Sequence, residues 1–325
     1  MENVMVSRLG VRIPRELPAA RLAGLARRAE QEGLDEVWIV EDCFYAGGIA
    51  TAATVLAATE KITLGIGIMP AVARNPAIVA MEIAALAELH PGRLIAGFGH
   101  GVPSWMRQID AWPKSALAAF EETLTVVRRL LAGERVSFEG KHVRLDEVEL
   151  EFPPAVPPKL IAGVRGPKSL AAAGRVADGT LLAEPATPEY VRATRELIGV
   201  ESHTIAAYNW LALDDDPERA RERARSDVAS AIGPNSGPAL EPLDFGAELL
   251  AEVAATGDDR AELARRLRPE WIDRLSVSGP LDSCVERIRA LYAAGTESVV
   301  LLPLLGEPEE ESFAAAGRIA AALRG

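Results

Sequence analysis

Three short stretches of this chain carry residues whose types and spacing could do chemistry. The first is Gly99-His100-Gly101, directly after the apolar run Leu94–Phe98. Glycines at a strand end let backbone amides approach a ligand with no Cβ in the way. His100 could donate to a phosphate or to a reduced cofactor ring; it could equally be a loop histidine that satisfies carbonyls. The second is Leu160–Gly163 followed by Val164-Arg165-Gly166-Pro167-Lys168-Ser169. Pro167 suits the first position of a helix, so free amides open that helix beside Arg165 and Lys168. That is an anion site in type, although GxxxxGK[ST] is absent and it is not a P-loop. The plainer reading is an ordinary helix with two solvated cations. The third is Glu41-Asp42, after Glu36–Val40. Carboxylates there could hold hydroxyls or act as acid or base. Neighbours on an extended chain point apart, so one of the two faces the site, and capping of the next helix is the competing role.

Lesser candidates surround these. Glu184 follows the strand Gly179–Ala183 and reads more simply as a solvated loop residue. Cys43 has no local base and is a small filler rather than a nucleophile. His90 is structural, His142 lies on a hairpin, and His203 starts a strand and could face either way. Trp105 and Met106 could flank a planar ring, although packing is the commoner role for both.

The elements that must position these residues alternate. Ile62–Met69 and Leu94–Phe98 are apolar on both faces, with a helix from Pro76 to Leu89 between them. Strand–helix–strand of this kind implies a parallel sheet covered by helices, with ligands at the carboxyl ends of the strands. The pattern begins with Val4–Ile13 and the helix Arg21–Glu32, whose Leu22, Leu25, Ala26 and Ala29 share one face. It resumes after a small hairpin near 136–145 and a stiff proline connector (Pro153, Pro154, Pro157, Pro158). Pro234–Pro242 reads as a surface excursion or lid. Ser283-x-x-Glu286 matches a capping box that opens a helix to Ala294. The count is about eight strand–helix units, the number a (β/α)8 TIM barrel needs. The expected architecture is a single α/β barrel over residues 1–325, with a small hairpin insertion and a longer one near 214–275. A doubly wound open sheet is the alternative.

The totals bound the function. The chain has 325 residues and a formal net charge of −12. That acidity argues against a nucleic-acid phosphate grip and against an anionic membrane surface. Two distant cysteines, Cys43 and Cys284, give no zinc spacing and no disulfide framework, and no metal site is expected. MENVMVSRLG lacks the basic-then-apolar pattern of a signal peptide, so a cytoplasmic enzyme acting on a small molecule is the default reading.

In their order, these segments resemble the luciferase-like monooxygenase superfamily. The matching pieces are Glu30–Trp38, Arg74-Asn75-Pro76, Pro91-Gly92-Arg93 with the glycine tip after it, and Gly163–Ala173 with Ala177-Asp178-Gly179. They span roughly Arg21–Ile198 and Pro280–Pro303. Within the superfamily the chain is most similar to the coenzyme F420-dependent, methylene-tetrahydromethanopterin reductase-like branch. The resemblance implies a barrel with a flavin or deazaflavin ring in its mouth, a homodimer, and a non-prolyl cis peptide at the end of the third strand, matching Ile66–Gly67. It assigns cofactor contacts to Glu41, Ile66, Gly67, Gly99 and Gly101, and to Ala162, Gly163, Val164, Arg165 and Gly166 at the phosphate.

Two departures matter. The family often carries Asp-His after the second strand, where this chain has Glu41-Asp42. Sugar-phosphate dehydrogenases of the branch carry a glutamate acid after the glycine tip, where this chain has Val102. Sugar-phosphate oxidation is therefore not expected, and Asp42 or His100 is left as the catalytic group unless the substrate or water serves. The leading expectation is hydride transfer between coenzyme F420 and a small organic substrate. The alternatives are an FMN-dependent monooxygenase and a non-catalytic flavin-binding barrel.

Overall fold

A computed structural model describes residues 7–325; Val4–Val6 of the expected first strand lie outside them. Its strands are β1 Arg8–Arg12, β2 Glu36–Ile39, β3 Thr63–Pro70, β4 Leu94–Gly99, β5 Val136–Glu139, β6 Arg144–Val148, β7 Lys159–Ala162, β8 Gly179–Leu182, β9 Thr204–Leu213, β10 Val277–Gly279 and β11 Ser298–Leu302. The helices are α1 Leu22–Gln31, α2 Gly48–Ala58, α3 Pro76–Leu89, α4 Pro103–Gln108, α5 Ala116–Leu131, α6 Pro167–Val176, α7 Pro188–Ile198, α8 Pro217–Ala231, α9 Gly237–Leu240, α10 Gly246–Thr256, α11 Arg260–Arg266, α12 Pro269–Leu275, α13 Leu281–Ala293 and α14 Glu309–Arg324.

Eight parallel strands close in the order β9-β11-β1-β2-β3-β4-β7-β8, with β8 pairing back to β9. This is the expected TIM barrel. β10 adds a short parallel strand outside β9, and β5 with β6 forms the separate antiparallel hairpin. Glu122 on α5 ties that hairpin down by accepting from the amides of Lys141, His142 and Val143.

Alternation along each strand splits the core in two. Val37, Ile39, Leu64, Ile66, Ala96, Phe98 and Val299 face the surrounding helices. Trp38, Ile161, Leu181, Tyr208, Val300 and Leu302 belong to a second cluster, which fills the barrel and runs on into the helices of the late insertion. A TIM barrel is ordinarily packed by layers of branched side chains. Here one side of the lumen is glycine. A Cβ at Gly65 would fall on the Trp38 ring, and one at Gly67 on the Tyr208 hydroxyl. Large aromatics from β2 and β9 thus occupy the space that β3 leaves.

Two local expectations are corrected. The stretch Pro234–Pro242 is not a surface loop: Leu240 is fully buried, Ala239 and Leu243 nearly so, and a Cβ at Gly246 would overlap the Leu240 carbonyl. The capping box at Ser283 is not used either. Gly279, at φ +120°, turns the chain before Pro280, and α13 begins at Leu281 with no side-chain cap. Among the described residues, no helix is long and apolar enough to cross a membrane, and no group of three or more His, Cys, Asp or Glu could hold a metal ion.

Candidate active site

The mouth of the barrel lies where β3, β4 and β7 end. The pairing of β3 with β4 jumps register between Ile66 and Met69. The cis peptide of this strand joins Gly67 to Ile68, one residue later than the resemblance implied. The irregularity lies beyond Ile66, which remains in regular register with Ala96 and keeps its side chain in the outer core. Ile68 is the residue that turns inward. A Cβ at Gly99 would lie 2.9 Å from Ile68 Cδ1, and one at Gly163 would overlap Ile68 Cγ2. These two glycines make room for Ile68. Gly101 is required for another reason: its φ is +76°, and a Cβ there would meet Met106 Cγ at 2.9 Å. Met106 is fully buried against this turn, so packing is its role.

Glu41 and Asp42 diverge, as adjacent residues after a strand should. Glu41 is buried; Arg74 grips both of its oxygens, and the Gly48 amide donates to Oε2 at 2.7 Å, which caps α2. Asp42 is half-buried and pairs with Arg15, whose guanidinium lies over the rings of Tyr45 and Trp105. Cys43 is half-buried, with its thiol pushed up by burial and then by Glu41 and Asp42.

His100 bridges two helices. Nδ1 lies 3.2 Å from the Ala116 carbonyl and Nε2 lies 3.0 Å from Ser169 Oγ. A carbonyl only accepts, so Nδ1 carries the proton, and Nε2 accepts from the Ser169 hydroxyl. Burial lowers the pKa of the ring, with the Ala116 bond opposing, so the imidazole is neutral at pH 7. Ser169 stands in the first turn of α6. That helix begins at Gly166 with Pro167 next and no side-chain cap, whereas Asn75 caps α3 and Thr187 caps α7. Its first amides are left for another acceptor, with Arg165 half-buried and Lys168 exposed beside them. Ala162 and Val164 face the outer core, and Gly163 donates to the Phe98 carbonyl at 2.8 Å, which locks the cradle onto β4.

Four mouth residues escaped sequence reading: Arg12, Arg15, Tyr208 and Trp210. Arg12 ends β1 on its inner face and lies 3.7 Å from Glu184, so Glu184 is not the solvated loop residue expected of it. The Arg12 guanidinium sits over Tyr208 and Trp210, 5.6 and 5.8 Å from the ring centroids. Arg12 Nε and Trp210 Nε1 are both buried without a hydrogen-bond partner among the described residues. Each such donor left unmade costs about 1–3 kcal/mol, so the pair calls for an acceptor. The Tyr208 phenol is pushed well above its usual range, chiefly by burial, and stays protonated. One signal was present in the sequence: β1, Arg8-Leu9-Gly10-Val11-Arg12, carries an arginine at each end on the same face.

The other histidines lie elsewhere. His90 ends α3 at the surface, and His142 is on the hairpin. His203 Nε2 meets the Thr180 hydroxyl at 2.8 Å, near the start of β8 and away from the mouth.

The family of luciferase-like monooxygenases matches residues 4–298 of the chain. A 5,10-methylenetetrahydromethanopterin reductase of Methanolobus tindarius is 28% identical over 313 residues, covering 93% of this chain and 95% of its own. An F420-dependent glucose-6-phosphate dehydrogenase of Nakamurella multipartita is 30% identical over 311 residues, covering 86% of each. Among solved structures, the coenzyme F420-dependent tetrahydromethanopterin reductase of Methanopyrus kandleri superposes with a TM-score of 0.82 at 23% identity, over 96% of this chain and 97% of that one.

Proposed function

The chain belongs to the luciferase-like monooxygenase family, and we propose that within it this protein moves a hydride between coenzyme F420 and a small organic substrate. One observation carries the reading. The uncapped start of α6 lies beside a glycine-walled mouth in which two buried donors await an acceptor. The residues fit such a cofactor. Gly166, Arg165, Lys168 and the backbone amide of Ser169 would hold its phosphate, and the strand ends at Gly67, Gly99 and Gly101 would border its ring. When bound, the deazaflavin supplies a two-electron hydride carrier.

The chain's own groups position and polarise. Asp42 and His100 are the two residues assigned to the chemistry. Asp42, held by Arg15, is the ionisable group at the rim that can exchange a proton with substrate or water. His100, neutral, accepts the one hydroxyl proton of Ser169 and so anchors the first turn of α6. Arg12 cannot give up a proton at working pH, so it stabilises charge rather than transferring protons. Val102 is an exposed apolar residue before α4 and cannot serve as an acid, which supports a substrate other than a sugar phosphate.

The reading includes a homodimer. Ile78, Met81 and Leu89 of α3 are 48%, 53% and 72% exposed, an apolar surface on one helix that a second copy would cover. Size-exclusion chromatography with light scattering tests this part.

The main test is titration of the protein with coenzyme F420 and, separately, with FMN, followed by fluorescence. Micromolar or tighter binding of F420 alone supports the reading. Preference for FMN points to oxygen chemistry, and tight F420 binding without turnover of any acceptor points to a non-catalytic barrel.

A further inference from the structure

The loops that follow the strands at the mouth carry large apolar side chains open to solvent. On the loop after β2, Phe44 is 66% and Tyr45 49% exposed; at the two ends of α4, Val102 and Ile109 are each 41% exposed. Val102, Trp105 and Ile109 recur at i, i+3 and i+7, so they share one face of α4, while Met106 is buried beneath it. At 1.5 Å per residue, that face is an apolar edge about 10 Å long. The Arg15 guanidinium, on the loop after β1, lies 5.2 Å from the Tyr45 ring centroid and 5.9 Å from that of Trp105. In the sheet β1 and β4 are separated by β2 and β3. Three loops that leave separate strands therefore close on one another over the ends of β2 and β3.

A cluster of exposed apolar side chains marks a surface that something covers. The charge around it selects the kind of molecule. Arg15 is matched by Asp42 and by Glu16 at 3.0 Å, so its cation holds the two rings rather than a substrate anion. Asp110, at the end of α4, adds a negative charge. A carboxylate or phosphate placed here would lose water and gain no cation but Arg107, which is turned to the Trp112 ring, 5.4 Å away. An uncharged planar ring system gains instead, because it covers Phe44, Tyr45 and the α4 face and stacks on their aromatic rings. One ring is too short to cover an edge of this length.

We propose that these loops form the substrate-binding rim and that the substrate carries an uncharged aromatic body of two or three rings. The proposal rests on the functional reading above for what reacts, and on the rim alone for what binds.

The test titrates the full chain calorimetrically with 2-acetonaphthone, an uncharged two-ring probe, with 2-naphthoate as its anionic counterpart and acetone as its ringless fragment, each with and without saturating F420. 2-Acetonaphthone should bind at least about tenfold more tightly than either. Phe44→Ser and Ile109→Ser, at positions too exposed to endanger the fold, should each weaken that binding by about threefold or more and leave the F420 dissociation constant unchanged. Failure of the wild-type protein to bind F420 would overturn the functional reading, and the titrations without F420 then decide the inference alone. Equal affinity for 2-naphthoate, no binding of 2-acetonaphthone, or binding that neither variant weakens would each overturn the inference. So would a fall in the light-scattering mass of the double variant, which would assign the rim to contact between copies of this chain.

Discussion

The two ends of this barrel handle buried charge in opposite ways. At the mouth, charge comes in pairs: Arg74 with Glu41, Arg15 with Asp42, and Arg12 with Glu184. What is left over there is donors, Arg12 Nε and Trp210 Nε1. At the floor, Glu36 is partnered on both oxygens, by Trp38 Nε1 and Ser298 Oγ on Oε2 and by Arg8 on Oε1. The mouth is thus close to neutral and short of acceptors, which suits an uncharged or ring-bound oxygen. Around Glu36 at the floor no polar atom is left over among the described residues. The backbone differs as well. The mouth is shaped by glycines that admit Ile68, whereas nearer the floor Gly10 and Gly65 admit Glu36 and the Trp38 ring.

Breaking a mouth pair should have the largest effect. Arg74→Met leaves Glu41 buried, with the Gly48 amide but no cation. Removing one partner of a buried pair costs about 3–5 kcal/mol, and Arg74 is partly exposed, so the lower end is expected. Urea unfolding should show this loss; an unchanged midpoint would mean the pair contributes no more than a surface bridge. Gly163→Ala comes next. Its Cβ would overlap Ile68, and overpacking of this kind costs about 1–3 kcal/mol. Affinity for F420 should fall at least about tenfold. An unchanged affinity would mean that Ile68 yields to the added methyl without cost at the mouth.

A smaller effect is expected from Trp210→Phe, which keeps the ring and removes only the N–H. If that donor meets a substrate oxygen, KM for an acceptor that the enzyme turns over should rise about tenfold, with the F420 dissociation constant unchanged. A shift in F420 affinity instead would assign the donor to the cofactor.

The sequence made some of this legible and concealed the rest for physical reasons. The barrel was readable because both-face apolar strands such as Leu94–Phe98 and amphipathic helices such as α1 alternate with few interruptions. The uncapped start at Gly166-Pro167 was readable because capping is a local matter of adjacent residues. The mouth pairs were not. Arg15 meets Asp42 across 27 positions and Arg12 meets Glu184 from distant strands, contacts that barrel closure creates and spacing does not announce. Glu41 and Asp42 divided as alternation predicts, with Glu41 taking the capping role weighed against catalysis. The late insertion misled because Pro234–Pro242 has turn composition, yet Leu240 anchors it in the inner core.

The smallest effects separate the ends by pH. At the floor side, His203 is held neutral, with its pKa lowered from 6.5 to about 4, chiefly by burial and then by Arg195. The unfolded chain therefore binds more protons between those values, and the stability His203 contributes is present above pH 6.5 and lost as pH falls through 4. Asp227, on α8 of the late insertion, acts with the opposite sign. Burial raises its carboxyl from 3.8 to about 6, so the folded state binds the extra proton and stability rises as pH falls through 6. In the wild type the two slopes partly cancel between about pH 6 and pH 4. Asp227→Asn should raise stability above pH 6 and leave a steeper acid loss below it. Adding His203→Gln to that variant should flatten the remaining loss, read as the dependence of the urea midpoint on pH. An acid loss that persists in the double variant would place the sensitive group elsewhere. His100, whose pKa burial also lowers, acts at the mouth with the same sign as His203.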